Sequence, residues 1–304
     1  MKERNRKFYL ILFLKSILMG TVNKLPGVSG GLVALITGFY FEMINSLKKI
    51  NLNTIKLFPD LKKLNKEYNL YFLLTIFFGI IVSYFTTSQL LDILFRNHEL
   101  KVWSIFFGMI LASNILLINK NKNWDLKSTL FVFVGLVIGI LISISEPISE
   151  NRNLYFIFFC GFISICGMIV PGLSGSFLLI LLGNFKLLLI DSVNSLYNSI
   201  LILFGFKTDI NHDIELIKIA AVFALGSVAG LILLSNFLSY LITNFKETVN
   251  QVIIGFIFGS LFIVWPWNYS SIDFELNFQN SILLLWIVIG VLIIFVFNRY
   301  AKKY

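Results

Sequence analysis

Two short segments share one pattern. Pro26-Gly27-Val28-Ser29-Gly30 recurs as Pro171-Gly172-Leu173-Ser174-Gly175, 145 residues later. Proline followed by glycine marks a turn or an unwound break. Each break precedes an apolar run that starts a helix, so free N–H groups and a positive dipole end face it. Ser29 and Ser174 add hydroxyls at or near the N-cap, and Ser176 adds another. Such an end suits a phosphate or a carboxylate. Lys24 stands beside the first turn and strengthens the anion reading. The candidate binding set is Asn23, Lys24, Gly27, Ser29, Gly30 and Gly31 from the first segment. Gly172, Ser174, Gly175 and Ser176 come from the second. The bland alternative is that small residues only let helices pack closely. Duplication beside a lysine favours the anion site.

The elements that must position these residues lie in a membrane. The chain has 304 residues, 57% hydrophobic and 13% charged, against about 25% charged in a soluble domain. A disordered chain, a disulfide scaffold and an ordinary soluble enzyme are excluded, and a polytopic all-α membrane protein is left. The net charge of +9 sits in short loops between apolar runs, which points to membrane topology and not to nucleic acid. The basic N-terminus lacks a small-x-small cleavage site and reads as a retained cytoplasmic start. Six runs are long enough to cross a bilayer: 70–88, 101–118, 128–145, 217–243, 249–267 and 281–298. Two others, 8–44 and 154–190, are broken by the Pro-Gly turns and read as re-entrant hairpins. Re-entry keeps Lys2, Arg4, Arg6 and Lys7 on the same side as Lys48, Lys49, Lys56, Lys62, Lys63 and Lys66, as the positive-inside rule requires. Both termini then face the cytoplasm, with 45–69 inside and 146–153 outside.

The self-similarity extends past the turns. Gly38 and Gly183 keep the offset of 145, and Tyr40 is matched by Phe185. At an offset of 147, Gly79, Ser88, Gln89, Leu91, Leu94 and Gly108 match Gly226, Ser235, Asn236, Leu238, Leu241 and Gly255. Each half, 1–145 and 146–304, is then one re-entrant hairpin plus three spans. Three is odd, so the second half is inverted, the plan of many secondary transporters.

Further polar residues bear on coupling and the cavity. Glu42 is a candidate proton carrier, and Asp191 a weaker one. Gln89 and Asn236 are candidates to line the cavity. Asp92, Arg96, His98 and Glu99 read as a mixed outer loop. Cys160 and Cys166 read as packing residues, His212 as a lone histidine, and no metal or cofactor is expected.

Asn23-Lys24-Leu25-Pro26-Gly27-Val28-Ser29-Gly30-Gly31, followed by Gly38-Phe39-Tyr40-Phe41-Glu42, resembles the first signature of the PopT family, formerly domain of unknown function 368. Met168-Ile169-Val170-Pro171-Gly172-Leu173-Ser174-Gly175-Ser176-Phe177-Leu178-Leu179, with Gly183, is similar to its second. Length, span pattern and both motifs extend the resemblance over the whole chain. Lys24 departs from it, standing where an apolar residue is expected. The resemblance implies a translocase that returns undecaprenyl phosphate, the lipid carrier of cell-wall polymers, from the outer to the inner leaflet of the bacterial cytoplasmic membrane. Two rival readings are weighed. A polyprenyl pyrophosphate phosphatase of similar plan carries P-G-x-S-R-S-G, whereas glycine follows both serines here, and Glu146 and Glu150 carry its E-x-x-x-E spacing only beside Pro147. A small-anion or ion-coupled transporter calls for more polar residues within the spans than this chain offers.

Overall fold

The computed structural model describes residues 5–27, 30–49, 61–120, 124–144, 150–165, 167, 174–205, 213–269 and 278–301. These fold into helices and their connections, with no strand among them. Helix α1 (Arg6–Lys24) begins at Asn5, whose side chain accepts the Phe8 N–H at 2.9 Å. It ends at Leu25, held extended (φ −86°, ψ 129°) because Pro26 follows. Gly27 then takes a positive φ of 85°. Helix α2 (Gly30–Ile36) runs back along α1. At one end the Gly30 N–H donates to Asn23 Oδ1 at 2.9 Å. At the other, Lys15 Nζ donates to the Thr37 carbonyl at 2.6 Å. Helix α3 (Tyr40–Lys49) follows a break at Gly38, whose φ of 85° sets the C-terminal turn of α2. The arm expected to run unbroken toward Ile44 is therefore two helices. Helix α4 (Leu61–Tyr68) is short and amphipathic.

Helix α5 (Leu70–Lys120) contains the expected runs 70–88 and 101–118 and is broken at His98 (φ −146°, ψ 45°). The outer loop expected at 89–100 is thus helix on both sides of one residue. The chain folds sharply there: the rings of Phe95 and Phe106 lie 5.9 Å apart, where a straight helix would separate them by about 16 Å. Helix α6 (Leu126–Ile144) begins where Asp125 accepts the Ser128 N–H at 2.8 Å. The Ser128 hydroxyl, and then its amide, hold the Asp125 carboxyl below the ordinary range.

The second half opens with α7 (Leu154–Ser164) and α8 (Gly175–Leu181). They also lie antiparallel: the Asn151 N–H donates to Asn184 Oδ1 at 2.9 Å, and Asn184 Nδ2 donates to the Asn151 carbonyl at 2.8 Å. Gly183 turns the chain with a φ of 71°. A π-turn (Leu187–Asp191) leads into α9 (Ser192–Leu203). Helices α10 (Ile214–Asn244), α11 (Lys246–Ser260) and α12 (Phe278–Ala301) complete the order. The run 249–267 is not one helix. Helix α11 stops at Ser260. Tight turns follow, in which the Ile263, Val264 and Trp265 N–H groups donate to the carbonyls three residues back. Pro266, which disfavours helix at Trp265, opens a 3₁₀ turn over Pro266–Tyr269. Among the described residues three helices are long and apolar enough to cross a membrane: Leu70–Asn119, Ile214–Leu231 and Ile282–Arg299. The stretch Leu126–Leu141 of α6 is apolar but shorter.

Contacts recur at the spacing of the sequence repeat. The backbone bonds Thr37 to Val33, Phe39 to Ala34 and Met43 to Phe39 have counterparts 145 residues on, in Leu182 to Leu178, Asn184 to Leu179 and Leu188 to Asn184. Gly79 lies against the Phe13 carbonyl, and Gly226 against that of Phe158. The later helices exchange partners. Gly108 of α5 lies against the Ile287 carbonyl of α12, and Gly255 of α11 against the Val132 carbonyl of α6. Gly290 and Gly135 return these contacts to Ile105 and Val252.

Candidate functional site

The two turn segments meet at one cavity of about 380 Å³. Asn23 reaches it from the end of α1, and Ser174, Gly175 and Ser176 from the start of α8. Asn23 does two things there, since its Oδ1 also caps α2 through the Gly30 N–H. Ser174 occupies the N-cap of α8 in extended conformation, with its hydroxyl free of the helix backbone. That hydroxyl instead pairs with Ser176 Oγ at 2.7 Å, and both serines are buried. A pair of hydroxyls shares one hydrogen, so one O–H remains to donate to an occupant. Gly175 packs against the Ser164 carbonyl, and the backbone at Gly167 touches that of Gly175. Side chains at either glycine would close this corner.

Sequence reasoning missed other parts of the wall. Ser164, Ser192 and Ser227 line the cavity, but their hydroxyls donate to carbonyls of their own helices, Gly161, Leu188 and Phe223. Leu179, Leu188, Leu189 and Phe223 make the rest largely apolar, and Tyr84 joins from α5. The sole sequence signal for these serines is their position inside otherwise apolar runs. No charged side chain is among the described lining residues. Val228 also lines the cavity and is 56% exposed, between exposed Leu225 and Leu231 on α10. The cavity therefore opens sideways onto an apolar helix face.

The remaining candidates are distributed around this cavity. Lys24 is fully buried behind its wall, bonded to the carbonyls of Tyr84 and Leu189 and to Ser88 Oγ. Gly27 supports the turn: a Cβ there would meet the Met109 carbonyl at 2.8 Å. Gly31 lies on α2, half-buried and outside the lining. Ser29 and Gly172 lie outside the described residues. Glu42 sits at the junction of α3 and α5, where Asn69 Nδ2 donates to its Oε1 at 2.6 Å. Gln89 lines a second, polar cavity of about 500 Å³ with Asp92, Arg96, Arg152 and Asp191. Helix α9 separates the two cavities, presenting Ser192 and Leu196 to one and Asn194 and Asn198 to the other. At the rim of the polar cavity Glu150 holds the Arg152 guanidinium above its ordinary value, chiefly by a hydrogen bond. Asn236 lies on α10, and its side chain is outside the described residues.

Long apolar helices around a largely apolar cavity with one hydroxyl corner define a polytopic membrane protein. The chain belongs to the undecaprenyl phosphate translocase-like family, whose model matches residues 19–282. It is similar to the polyprenyl-phosphate transporter of Vibrio cholerae, with 30% identity over 97% of this chain and 98% of that one. It is also similar to the polyprenyl-phosphate transporter of Staphylococcus aureus, with 27% identity over 92% and 97%. No solved structure matches it.

Proposed function

We propose that this protein translocates undecaprenyl phosphate from the outer to the inner leaflet of the bacterial cytoplasmic membrane, as a transporter and not as an enzyme. The observation that carries this reading is the cavity where the two turn segments converge. Its hydroxyl corner, from Ser174 and Ser176 with Asn23 opposite, suits a phosphate head group. Its opening at Val228 leaves a polyprenyl tail in lipid while the head group moves. An ionised phosphate in hydrocarbon is strongly disfavoured, and hydrogen bonds from the hydroxyl corner offset part of that penalty.

The same reading assigns each half, 1–145 and 146–304, one re-entrant hairpin and three membrane helices, the halves being inverted. The antiparallel pairs α1–α2 and α7–α8 support the hairpins, and the reciprocal contacts of α5 with α12 and of α11 with α6 support a two-fold relation. Both termini then face the cytoplasm. Ser29 and Gly172, in the two turns, are the protein's further candidate head-group residues, with Gly30 and Gly31 at the start of α2. Glu42, Gln89 and Asn236 are its candidate coupling and cavity residues.

The test is reconstitution. Purified protein in liposomes, with undecaprenyl phosphate in the outer leaflet, should shield the lipid from an external phosphatase faster than protein-free liposomes do. Equal rates would refute translocation. For topology, cysteines at Lys56 and Arg152, in a background lacking the native two, should label from inside and outside respectively. Labelling of position 56 from outside would remove the hairpin and the inversion.

A further inference from the structure

Resting on the reading of the cavity as a phosphate-lipid site, we propose that Lys24 sets the cavity's selectivity for an anionic head group, acting from behind the wall and not by contact. The amine is 0% exposed. Nζ donates to the Tyr84 carbonyl at 2.7 Å, to the Leu189 carbonyl at 2.7 Å and to Ser88 Oγ. Carbonyls can only accept, and the single Ser88 hydroxyl hydrogen goes to the Leu189 carbonyl at 2.6 Å. With the Ser88 hydrogen so placed, Nζ faces three acceptors, an environment that suits the three N–H donors of an ammonium. The Tyr84 ring face, 4.7 Å from Nζ, also favours a cation. Lys24 is read on this geometry as a buried cation, and its partners among the described residues are all neutral.

An unpaired ammonium at membrane depth is rare, because its desolvation calls for a counter-charge. Here the carboxylates nearby in sequence are turned elsewhere. Asp191 and Asp92 line the polar cavity beyond α9, and Glu42 bonds Asn69. Two of the residues holding the ammonium, Tyr84 and Leu189, themselves line the apolar cavity, as does the adjacent Asn23. The charge therefore lies one layer behind a wall that carries no charged side chain among its described residues. A head group bearing negative charge supplies the missing counter-charge, and a neutral one does not. The π-turn contributes to this placement. Its widened ladder lets the Leu189 carbonyl accept from Lys24 and Ser88, across from the first half of the chain.

The proposal separates Lys24 from the hydroxyls. Ser174 and Ser176 make hydrogen bonds, whereas Lys24 makes the potential. It is a positioning residue for charge, since its N–H groups are all used by the protein.

The experiment compares affinities for undecaprenyl phosphate and undecaprenol on the full-length protein in lipid nanodiscs. Wild type should prefer the phosphate, and Lys24→Met should reduce that preference by at least about tenfold, the size of a unit charge acting across one protein layer. Lys24→Arg should restore most of it. Ser88→Asp keeps the amine but gives it a carboxylate, and should reduce the preference as Lys24→Met does. A merely structural pin would weaken both lipids together and leave their ratio intact, so an unchanged ratio in either folded variant overturns the proposal. A wild-type preference below about threefold overturns it without any variant, which keeps the test independent of whether the substitutions fold. Failure of translocation in liposomes would count against the function instead, because the selectivity ratio is read from binding alone.

Discussion

The first helical pair, α1–α2, and the second, α7–α8, end in turns of the same backbone geometry with different chemistry. Gly38 and Gly183 both adopt positive φ, and three backbone hydrogen bonds around them coincide at an offset of 145. The side chains at matched positions diverge. Phe39 is buried in the core where Asn184 bonds the backbone of Asn151 at both ends. At the cavity the first pair supplies an amide from Asn23 and a charge from Lys24, and the second supplies hydroxyls from Ser174 and Ser176. Duplicated backbone geometry thus carries a divided chemistry. Two turns that must bend alike both need glycine, whereas one cavity needs each polar function once.

The comparison is sharpest at the matched positions 39 and 184. Phe39→Ala should cost about 3–5 kcal/mol of stability by emptying packed volume. Asn184→Ala should cost about 2 kcal/mol, one for each lost hydrogen bond. Thermal unfolding in detergent measures both, and equal losses would mean the two pairs are held alike. Next come the crossed helices. Gly108→Val and Gly255→Val should each cost about 3 kcal/mol, because a side chain there overlaps a facing carbonyl. A difference above about 1 kcal/mol between them, against the scatter expected of equivalent sites, would break the reciprocal packing.

The cavity gives the next effect. Ser174→Ala should weaken undecaprenyl phosphate binding roughly tenfold, from the loss of about 1.5 kcal/mol in a bond to a charged group, with unfolding temperature nearly unchanged. Asn23→Ala should instead lower stability by about 1 kcal/mol, since it uncaps α2. Normal lipid binding by Ser174→Ala and Ser176→Ala alike would leave the second turn as packing only. The smallest change is Gly38→Ala. Nothing lies within 4 Å of the added Cβ, so only the positive φ is penalised, by about 1 kcal/mol. Gly183→Ala should match it.

Much of the fold was legible because membrane burial leaves a coarse signal. Apolar runs of span length marked α5, α6, α10 and α12, and Pro26-Gly27 marked the break after α1, whereas Pro171-Gly172 lies outside the described residues. The break at His98 and the end of α11 at Ser260 left weaker traces. Polar residues at 92–99 read as a loop although only His98 among them leaves the helix, and the end of α11 at Ser260 was masked by the apolar residues that continue past it. In the site, Asn23, Ser174, Gly175 and Ser176 were visible because they repeat. Tyr84, Ser164, Ser192 and Ser227 were not, since lone polar residues in apolar helices usually bond their own backbone, as these three serines do.

By itself the sequence determined the solvent, the helical class and the paired turns, because composition, span length and Pro-Gly spacing are local properties. What faces what was decided only in three dimensions. Gln89 and Glu42 were candidates of the same rank as Asn23, yet packing sends Gln89 to the polar cavity and ties Glu42 to Asn69. Lys24 could be read as a residue reaching for phosphate. Its neighbours across the fold, 60 to 165 residues away in sequence, engage all three of its N–H groups and leave only its charge to act. Hydrogen-bond saturation is a property of the assembled neighbours, and no spacing along the chain encodes it.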